Sequence, residues 1–499
     1  MALTACSSSD DQRAPAAGSG GSQSSGGTGG GGSGGDGGTK ATGGDGGLGG
    51  GFAGGAGTSG PGGSRGGEPA GGSAGVAGGS AGRSTGGSAG AGASGGVSGA
   101  GGNAGSGGTA GSGGAGAAGS GGSGAQDWVG TWTASPYVDG ANPPPVSLAN
   151  AVLRQIVHVS LGGSQIRVQF SNLSGNGPVT ISKAHVALSK SATIADSTID
   201  TATDKALAFS GSASVTIEKG KEVWSDPVDF TVPNQGNVTI TTAFSSVPGS
   251  VCGHSGSRTT SYIKAGSTDV SAADMASATK TDHWFYISGM EVMADASAKG
   301  IVAIGDSITD GRGTTTNGNN RWTDVLAARL QKNAATANVS MMNQAIGATN
   351  LVGNSGTAAQ ARFNRDALSQ SGVKYVIVFD GVNDIGGGAS FASMKTAYDD
   401  LIKRAHDAKL IIYGATILPF AGNSYYTTAH ESVRQQVNTY IKSGVFDGVI
   451  DFDAAVTDGG NPPKLQAAYA KWDQQDWLHP GPGGYQKMGD TPDLTLFTK

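Results

Sequence analysis

Four short groups of residues carry side chains that could work together. Gly305-Asp306-Ser307-Ile308-Thr309-Asp310 offers a serine hydroxyl, and Asn343-Gln344-Ala345-Ile346-Gly347-Ala348 offers a backbone N–H with no side chain beside it. Gly381-Val382-Asn383-Asp384 offers a carboxamide, and Asp476-Trp477-Leu478-His479-Pro480 places an imidazole three residues beyond a carboxylate. The chemistry of that set is acyl transfer. A serine hydroxyl is a weak nucleophile until an imidazole accepts its proton, and a carboxylate fixes the imidazole in the right tautomer. Ser307, His479 and Asp476 can fill these roles. Attack on an ester carbonyl puts negative charge on its oxygen, and the N–H groups of Ser307 and Gly347 with the Asn383 amide could stabilise it. Gly347, having no side chain, lets backbone approach closely. Because the base must be neutral, activity is expected to rise with pH through a value near the ordinary histidine figure of about 6.5.

The surrounding pattern says how these groups would meet. From Lys299 onward, apolar runs alternate with amphipathic helices. Strands are predicted at Ile301–Ile304, Val339–Asn343, Tyr375–Phe379, Leu410–Tyr413 and Gly448–Phe452. Helices are predicted around Trp322–Leu330, Phe391–Asp407 and His430–Ile441. Continuous apolar strands joined by helices indicate an α/β fold, a parallel sheet covered on both faces. Three of the four groups follow a strand directly and the fourth lies near the carboxyl terminus, so a parallel sheet collects all four at one rim. Taken singly, each has an ordinary reading: Gly-Asp-Ser as chance in a glycine-rich chain, Gly-x-Asn-Asp as a capped turn, Asp-x-x-His as a surface loop. Their joint order makes the catalytic reading the stronger one.

With Gly-Asp-Ser-Ile, a glycine after the second strand, Gly-x-Asn-Asp and Asp-x-x-His in this order, residues 298–499 resemble the SGNH hydrolases, also called GDSL esterases or lipases. The resemblance implies a flavodoxin-like three-layer α/β/α fold with strand order 2-1-3-4-5. It implies Ser307 as nucleophile, His479 as base, Asp476 as its orienter, and an oxyanion hole of Ser307, Gly347 and Asn383. The isoleucine after Gly-Asp-Ser, where leucine is usual, is a minor departure. No cofactor is expected.

Residues 126–297 read differently. Val157, Val159 and Leu161 alternate with polar residues, as do Ile166, Val168 and Phe170 after Gly162-Gly163-Ser164, which predicts a hairpin. Similar runs at Val215–Ile217, Val228–Val232 and Val238–Thr241, with no long helical segment between them, predict a β-sandwich domain. The stretches Gly253–Tyr262 and His283–Tyr286 resemble segments of secreted SGNH proteins with an N-terminal sandwich, a group that includes carbohydrate esterases. By analogy the substrate is a small-molecule or polysaccharide ester. His254 and His283 sit in these stretches and are candidates for lining the site across the domain boundary. His158 and His185 read as structural or solvent-facing, and His406 and His430 as solvent-facing.

Of 91 glycines, 54 fall in the first 125 residues, so residues 7–125 form a Gly/Ser/Ala-rich tract unable to bury a core. It is expected to be a disordered tether. Residues 1–6, Met-Ala-Leu-Thr-Ala-Cys, resemble the end of a bacterial lipobox, with Cys6 as the lipidated residue and the front of the signal missing. That reading places the protein outside the cytoplasm as a bacterial surface or outer-membrane lipoprotein, or otherwise as a secreted protein. Lipid at Cys6 would be its only membrane contact. Lys and Arg number 32 against 37 Asp and Glu, net −5, which gives no footprint for nucleic acid. Two cysteines, Cys6 and Cys252, exclude a disulfide framework and a cysteine zinc site. Asp451 and Asp453 lack neighbouring histidines and read as a cap or turn, and no metal site is expected. Two other classes compete: a metal phosphoesterase, poorly served by three histidines in this half, and a glycan-binding surface lipoprotein with a vestigial hydrolase domain.

Overall fold

The computed structural model describes residues 126–138, 140, 142–191 and 196–499, all within one compact unit. Cys6, the lipobox-like segment and the glycine-rich tract lie outside the described residues.

Lys299–Gly305 is the first strand of a five-stranded sheet whose pairings are all parallel. The order is Val339–Asn343, Lys299–Gly305, Val373–Phe379, Ile411–Ala415, Gly448–Ile450, which is the expected 2-1-3-4-5. Val302, Ile304, Val376, Val378 and Ile412 are buried, as strands covered on both faces require. Each such side chain contributes roughly 1.5–3 kcal/mol by leaving water. The helix Trp322–Lys332 buries Trp322, Leu326 and Leu330, one per turn, with Asp324 in its first turn and Arg329 and Lys332 in its last. It packs on Pro482–Asp490, while Phe391–Asp407 packs on Thr428–Tyr440. The fifth strand is shorter than predicted, because Asp451 turns the chain to cap the helix Phe452–Val456 by accepting from Ala454 N at 3.2 Å. Asp453 pairs with Arg434 at 2.8 Å.

The preceding part is a pair of antiparallel sheets with a short two-stranded ladder beside them, Gly253–His254 on Trp284–Phe285. One orders Gln126–Thr133, Ile287–Asp295, Gly163–Ser171 and Glu222–Trp224, with Val228–Val232 also on Gly163–Ser171. The other runs Thr279–Thr281, Ser261–Ala265, Ala151–His158, Asn237–Ser246, Val179–Leu188, flanked by two short strands. Ile166, Val168 and Phe170 from one and Leu153, Val157, Ile240 and Phe244 from the other share a single buried cluster, the sandwich core. The predicted hairpin at 157–170 does not form. Ala151–His158 lies in one sheet and Gly163–Ser171 in the other. Val159–Leu161 crosses between them, held by Thr131 Oγ1, which accepts from Leu161 N at 2.8 Å. Gly162 and Gly163 serve that crossing: an added Cβ would lie 2.3 Å from Val232 O and 2.5 Å from Met293 O. Cys252 is a fully buried free thiol, and burial pushes its pKa up.

The sandwich covers one edge of the parallel sheet. Strand Val339–Asn343 is that edge, and Ser340 Oγ donates to Gly130 O at 2.6 Å, while Met341 N donates to Ser160 Oγ at 2.9 Å and Thr133 Oγ1 to Asn343 O at 3.1 Å. Gly130 is in close contact with Met342, whose sulfur would stand 2.3 Å from an added Cβ.

Candidate active site

The first strand ends in a single helical turn, Ser307–Asp310. Asp306 caps it by accepting from Ile308 N at 2.9 Å, and Gly311, at φ 102°, ends it. Ser307 therefore sits at the first helical position, where its N–H has no intrahelical acceptor. Its Oγ lies 2.7 Å from His479 Nε2, and His479 Nδ1 lies 2.6 Å from Asp476 Oδ2. The other Asp476 oxygen accepts from Leu478 N at 3.0 Å and His479 N at 2.9 Å. That tight turn explains the three-residue spacing, and it sets Gln475 and Trp477 at positive φ, 33° and 59°. Asp473, the nearest rival carboxylate in sequence, is exposed.

The second group is held in register by Gln344 N donating to Ala303 O and Ile346 N to Gly305 O. Gly347 faces the serine: a Cβ added there would lie 3.9 Å from Ser307 Cβ and 3.4 Å from Asp310 Oδ2. These are ordinary contacts, so packing alone does not demand glycine. Its absent side chain leaves open the space beside Ser307. The Asn383 Nδ2 group donates one hydrogen to Thr349 O at 2.8 Å, and Oδ1 accepts from Tyr425 Oη at 3.1 Å. The second N–H of Nδ2 remains for a ligand. Asp384 ties this turn to the loop just beyond the second group by accepting from Leu351 N at 2.7 Å and Val352 N at 3.0 Å.

The electrostatics favour a neutral imidazole. Burial lowers the His479 pKa below its ordinary value; Asp476 opposes this, and Arg312 and Arg258 add to it. The expected midpoint near 6.5 therefore moves lower. Burial works against ionisation of Asp476, but the hydrogen bond and charge of His479 and the two backbone N–H groups outweigh it and hold its pKa at about 2. Deeper in, burial and the neighbouring Asp384 and Asp310 push Asp306 up to about 7, against the Ile308 N–H and Arg362.

Three contributors escaped sequence reasoning. Tyr425 orients Asn383, and Asn423 Nδ2 donates to Asp476 O at 2.7 Å. Both lie in the loop after the fourth strand. Arg312 lies 4.0 Å from Asp476 and faces Trp472. Of the histidines, His254 reaches the seam below Ser307, bonding Asp310 Oδ1 at 2.9 Å, whereas His283 bonds Ser255 O within the sandwich. His158 and His185 pair with Asn237 and Asp204. His406 pairs with Asp447, and His430 with Tyr425 O. Among the described residues no cluster of three or more His, Cys, Asp or Glu is arranged to hold a metal ion, and no helix is long and apolar enough to cross a membrane.

The sequence of residues 303–487 matches that of the GDSL-like Lipase/Acylhydrolase family. Residues 303–487 are a GDSL-like lipase/acylhydrolase domain. It is the domain of an ester-bond hydrolase, and it carries all four groups described above. Among solved structures, a lipolytic protein of the G-D-S-L family from Desulfitobacterium hafniense is similar at 22% identity, covering 39% of this chain and 97% of its own, with a TM-score of 0.31. A GDSL-like lipase from Bacteroides thetaiotaomicron is similar at 18% identity, covering 39% and 85%, with a TM-score of 0.30. The acetyl xylan esterase AlAXEase is similar at 16% identity, covering 38% and 96%, with a TM-score of 0.29. Comparison with curated proteins gives no match.

Proposed function

We propose that the GDSL domain is a serine esterase working through an acyl-enzyme. The observation that carries this reading is the continuous hydrogen-bonded row from Ser307 Oγ through His479 to Asp476, at 2.7 and 2.6 Å. Ser307 Oγ attacks the ester carbonyl as His479 Nε2 takes its proton, giving a tetrahedral intermediate. Its oxyanion receives the N–H groups of Ser307 and Gly347 and the remaining N–H of Asn383. His479 then returns the proton to the leaving alkoxide, which departs as the alcohol, and the acyl group stays on Ser307. Water enters, gives a proton to His479 and attacks the acyl carbon. Collapse of the second intermediate releases the acid and returns the proton to Ser307. Asp476 stays ionised throughout and holds Nδ1–H, so that Nε2 is the free base.

For the substrate we propose an ester of an extracellular saccharide, on the resemblance of the 253–262 and 283–286 stretches to secreted two-domain members. The low-charge tract of residues 7–125 and Cys6 support an extracytoplasmic, lipid-anchored placement of the same reading.

A fluorophosphonate probe should label the wild type covalently and leave Ser307→Ala unlabelled. An unlabelled wild type, folded by circular dichroism, would overturn the esterase reading. Rates on p-nitrophenyl esters of increasing chain length beside acetylated xylan sort the substrate. A preference for long acyl chains, with no acetate released from xylan, removes the saccharide proposal and leaves the esterase standing.

A further inference from the structure

His254 belongs to the sandwich, yet its ring lies under the nucleophile turn. It is 4% exposed, packed edge-on to Tyr137 at 5.7 Å and beside Trp284 at 6.0 Å. Nδ1 is 2.9 Å from Ser135 O, a carbonyl that only accepts, so Nδ1 carries a hydrogen. Nε2 is 2.9 Å from Asp310 Oδ1, and one proton must lie between these two atoms for the contact to be a hydrogen bond. Both bonds are therefore made in one ring orientation, fixed by its neighbours.

Asp310 is the last residue of the turn that begins at Ser307. A four-residue helix does not stand alone, since nucleation costs more than one or two hydrogen bonds return. Asp306 secures its start. Its end is held by Arg321 Nε, donating to Asp310 O at 2.8 Å, and by His254 on the Asp310 side chain. The Asp310 carboxylate also abuts Gly347, 3.4 Å from its Cβ position, and Gly256, where an added Cβ would come within 1.9 Å. One carboxylate thus touches the end of the serine turn, the glycine of the second group and the sandwich. Ser135 adds a second grip: its Oγ donates to Gln344 Oε1 at 2.8 Å, in the strand extension that leads to Gly347.

We propose, resting on the esterase reading above, that His254 is a positioning residue for the reaction, which holds Asp310 so that Ser307 and the Gly347 N–H keep the spacing needed for attack and oxyanion binding. The sandwich is then a working part of the active site, though none of its residues named here reaches the reacting atoms. The contacts that matter run through Nε2 to Asp310, and this separates positioning from simple packing.

The experiment compares His254→Ala, His254→Gln and His254→Asn in p-nitrophenyl acetate hydrolysis. Rates are counted per active site by fluorophosphonate titration to completion, so that a poorly folding variant shows fewer sites rather than a slower one. A glutamine amide reaches the place of Nε2 and can donate to Asp310; an asparagine amide reaches the place of Nδ1 and retains only Ser135 O. Displacements of about 1 Å at a reacting group cost up to about 100-fold. The expected result is a kcat per site about 10- to 100-fold lower in His254→Ala and His254→Asn, with KM within about twofold, and recovery by His254→Gln to within about threefold of wild type. Unchanged kcat per site in His254→Ala, or equal loss in the Gln and Asn variants, overturns the proposal while leaving the esterase intact. A wild type that never labels removes the esterase reading, and this inference with it.

Discussion

The molecule holds two buried His–Asp pairs that differ in what the second ring nitrogen faces. His479 and Asp476 meet at 2.6 Å, His254 and Asp310 at 2.9 Å, and both imidazoles are about 95% buried. At His479 the far nitrogen meets the Ser307 hydroxyl, which can give up a proton. At His254 it meets the Ser135 carbonyl, which cannot. The carboxylates differ too: Asp476 has 27% of its side chain exposed and lies in a strained turn, while Asp310 has 6% exposed and is boxed in by glycines. A His–Asp pair is therefore not a catalytic signature. On the proposed reading, the partner on the opposite nitrogen decides whether the pair moves a proton or holds a backbone.

The largest expected effect tests that contrast directly. Asp476→Asn removes the group that fixes the His479 tautomer and should lower kcat/KM by about 10³–10⁴. Asp310→Asn, whose amide can still bond His254, should cost no more than about tenfold. Equal losses in steady-state assays would erase the distinction. Next, Asn383→Ala removes the donor proposed for the oxyanion and should reduce kcat by about 10²–10³ with little change in KM. Tyr425→Phe, which leaves Asn383 in place but frees its amide to turn, should cost about fivefold, the worth of one hydrogen bond of about 1 kcal/mol.

The pH profile sharpens the comparison at the working pair. His479 must be neutral to accept a proton, and its pKa is lowered, so kcat/KM should rise to a plateau through a midpoint below 6.5. A stopped assay from pH 4.5 to 8 that gives a midpoint at or above 6.5 contradicts this. The smallest effect lies in stability. Asp306, pushed up to about 7 from an unfolded value near 3.9, holds a proton in the folded state that the unfolded chain releases. Its contribution is complete below about pH 4 and is lost as pH rises through about 7. Asp306→Asn can keep the cap without titrating, so the drop in Tm between pH 6 and 8 should narrow by about 3–5 °C, the equivalent of about 1.3 kcal/mol in a domain this size.

Much of the parallel half was legible because its signals are local. Tyr375–Phe379 is apolar at every position, which only a strand covered on both faces tolerates, and Trp322, Leu326 and Leu330 mark a helix by spacing alone. The groups holding Ser307, Gly347, Asn383 and His479 could be placed because each stands at a predicted strand end or in the last loop. The expected 157–170 hairpin is absent because alternation reports which side chains face a core, not which strand is the neighbour. Val159–Leu161 alternates while crossing from one sheet to the other. Tyr425 and Thr349 carried no signal, since orienting an amide needs only one well-placed oxygen, which any loop can supply. The sequence alone does not divide structure from site at His254 for a related reason: its partner lies 56 positions away in the other fold, and no periodicity links the two.

The covered edge of the parallel sheet has a further consequence. A fragment starting at Lys299 would uncover a ribbon of unpaired backbone along Val339–Asn343, with the buried Met341 and Met342 beside it, and such ribbons invite other chains to add to them. The hydrolase half would then have to be handled as an aggregation-prone remnant rather than a minimal enzyme. Shuffling it onto another N-terminal module would require the newcomer to bring its own counterparts of Gly130, Ser160 and Thr133.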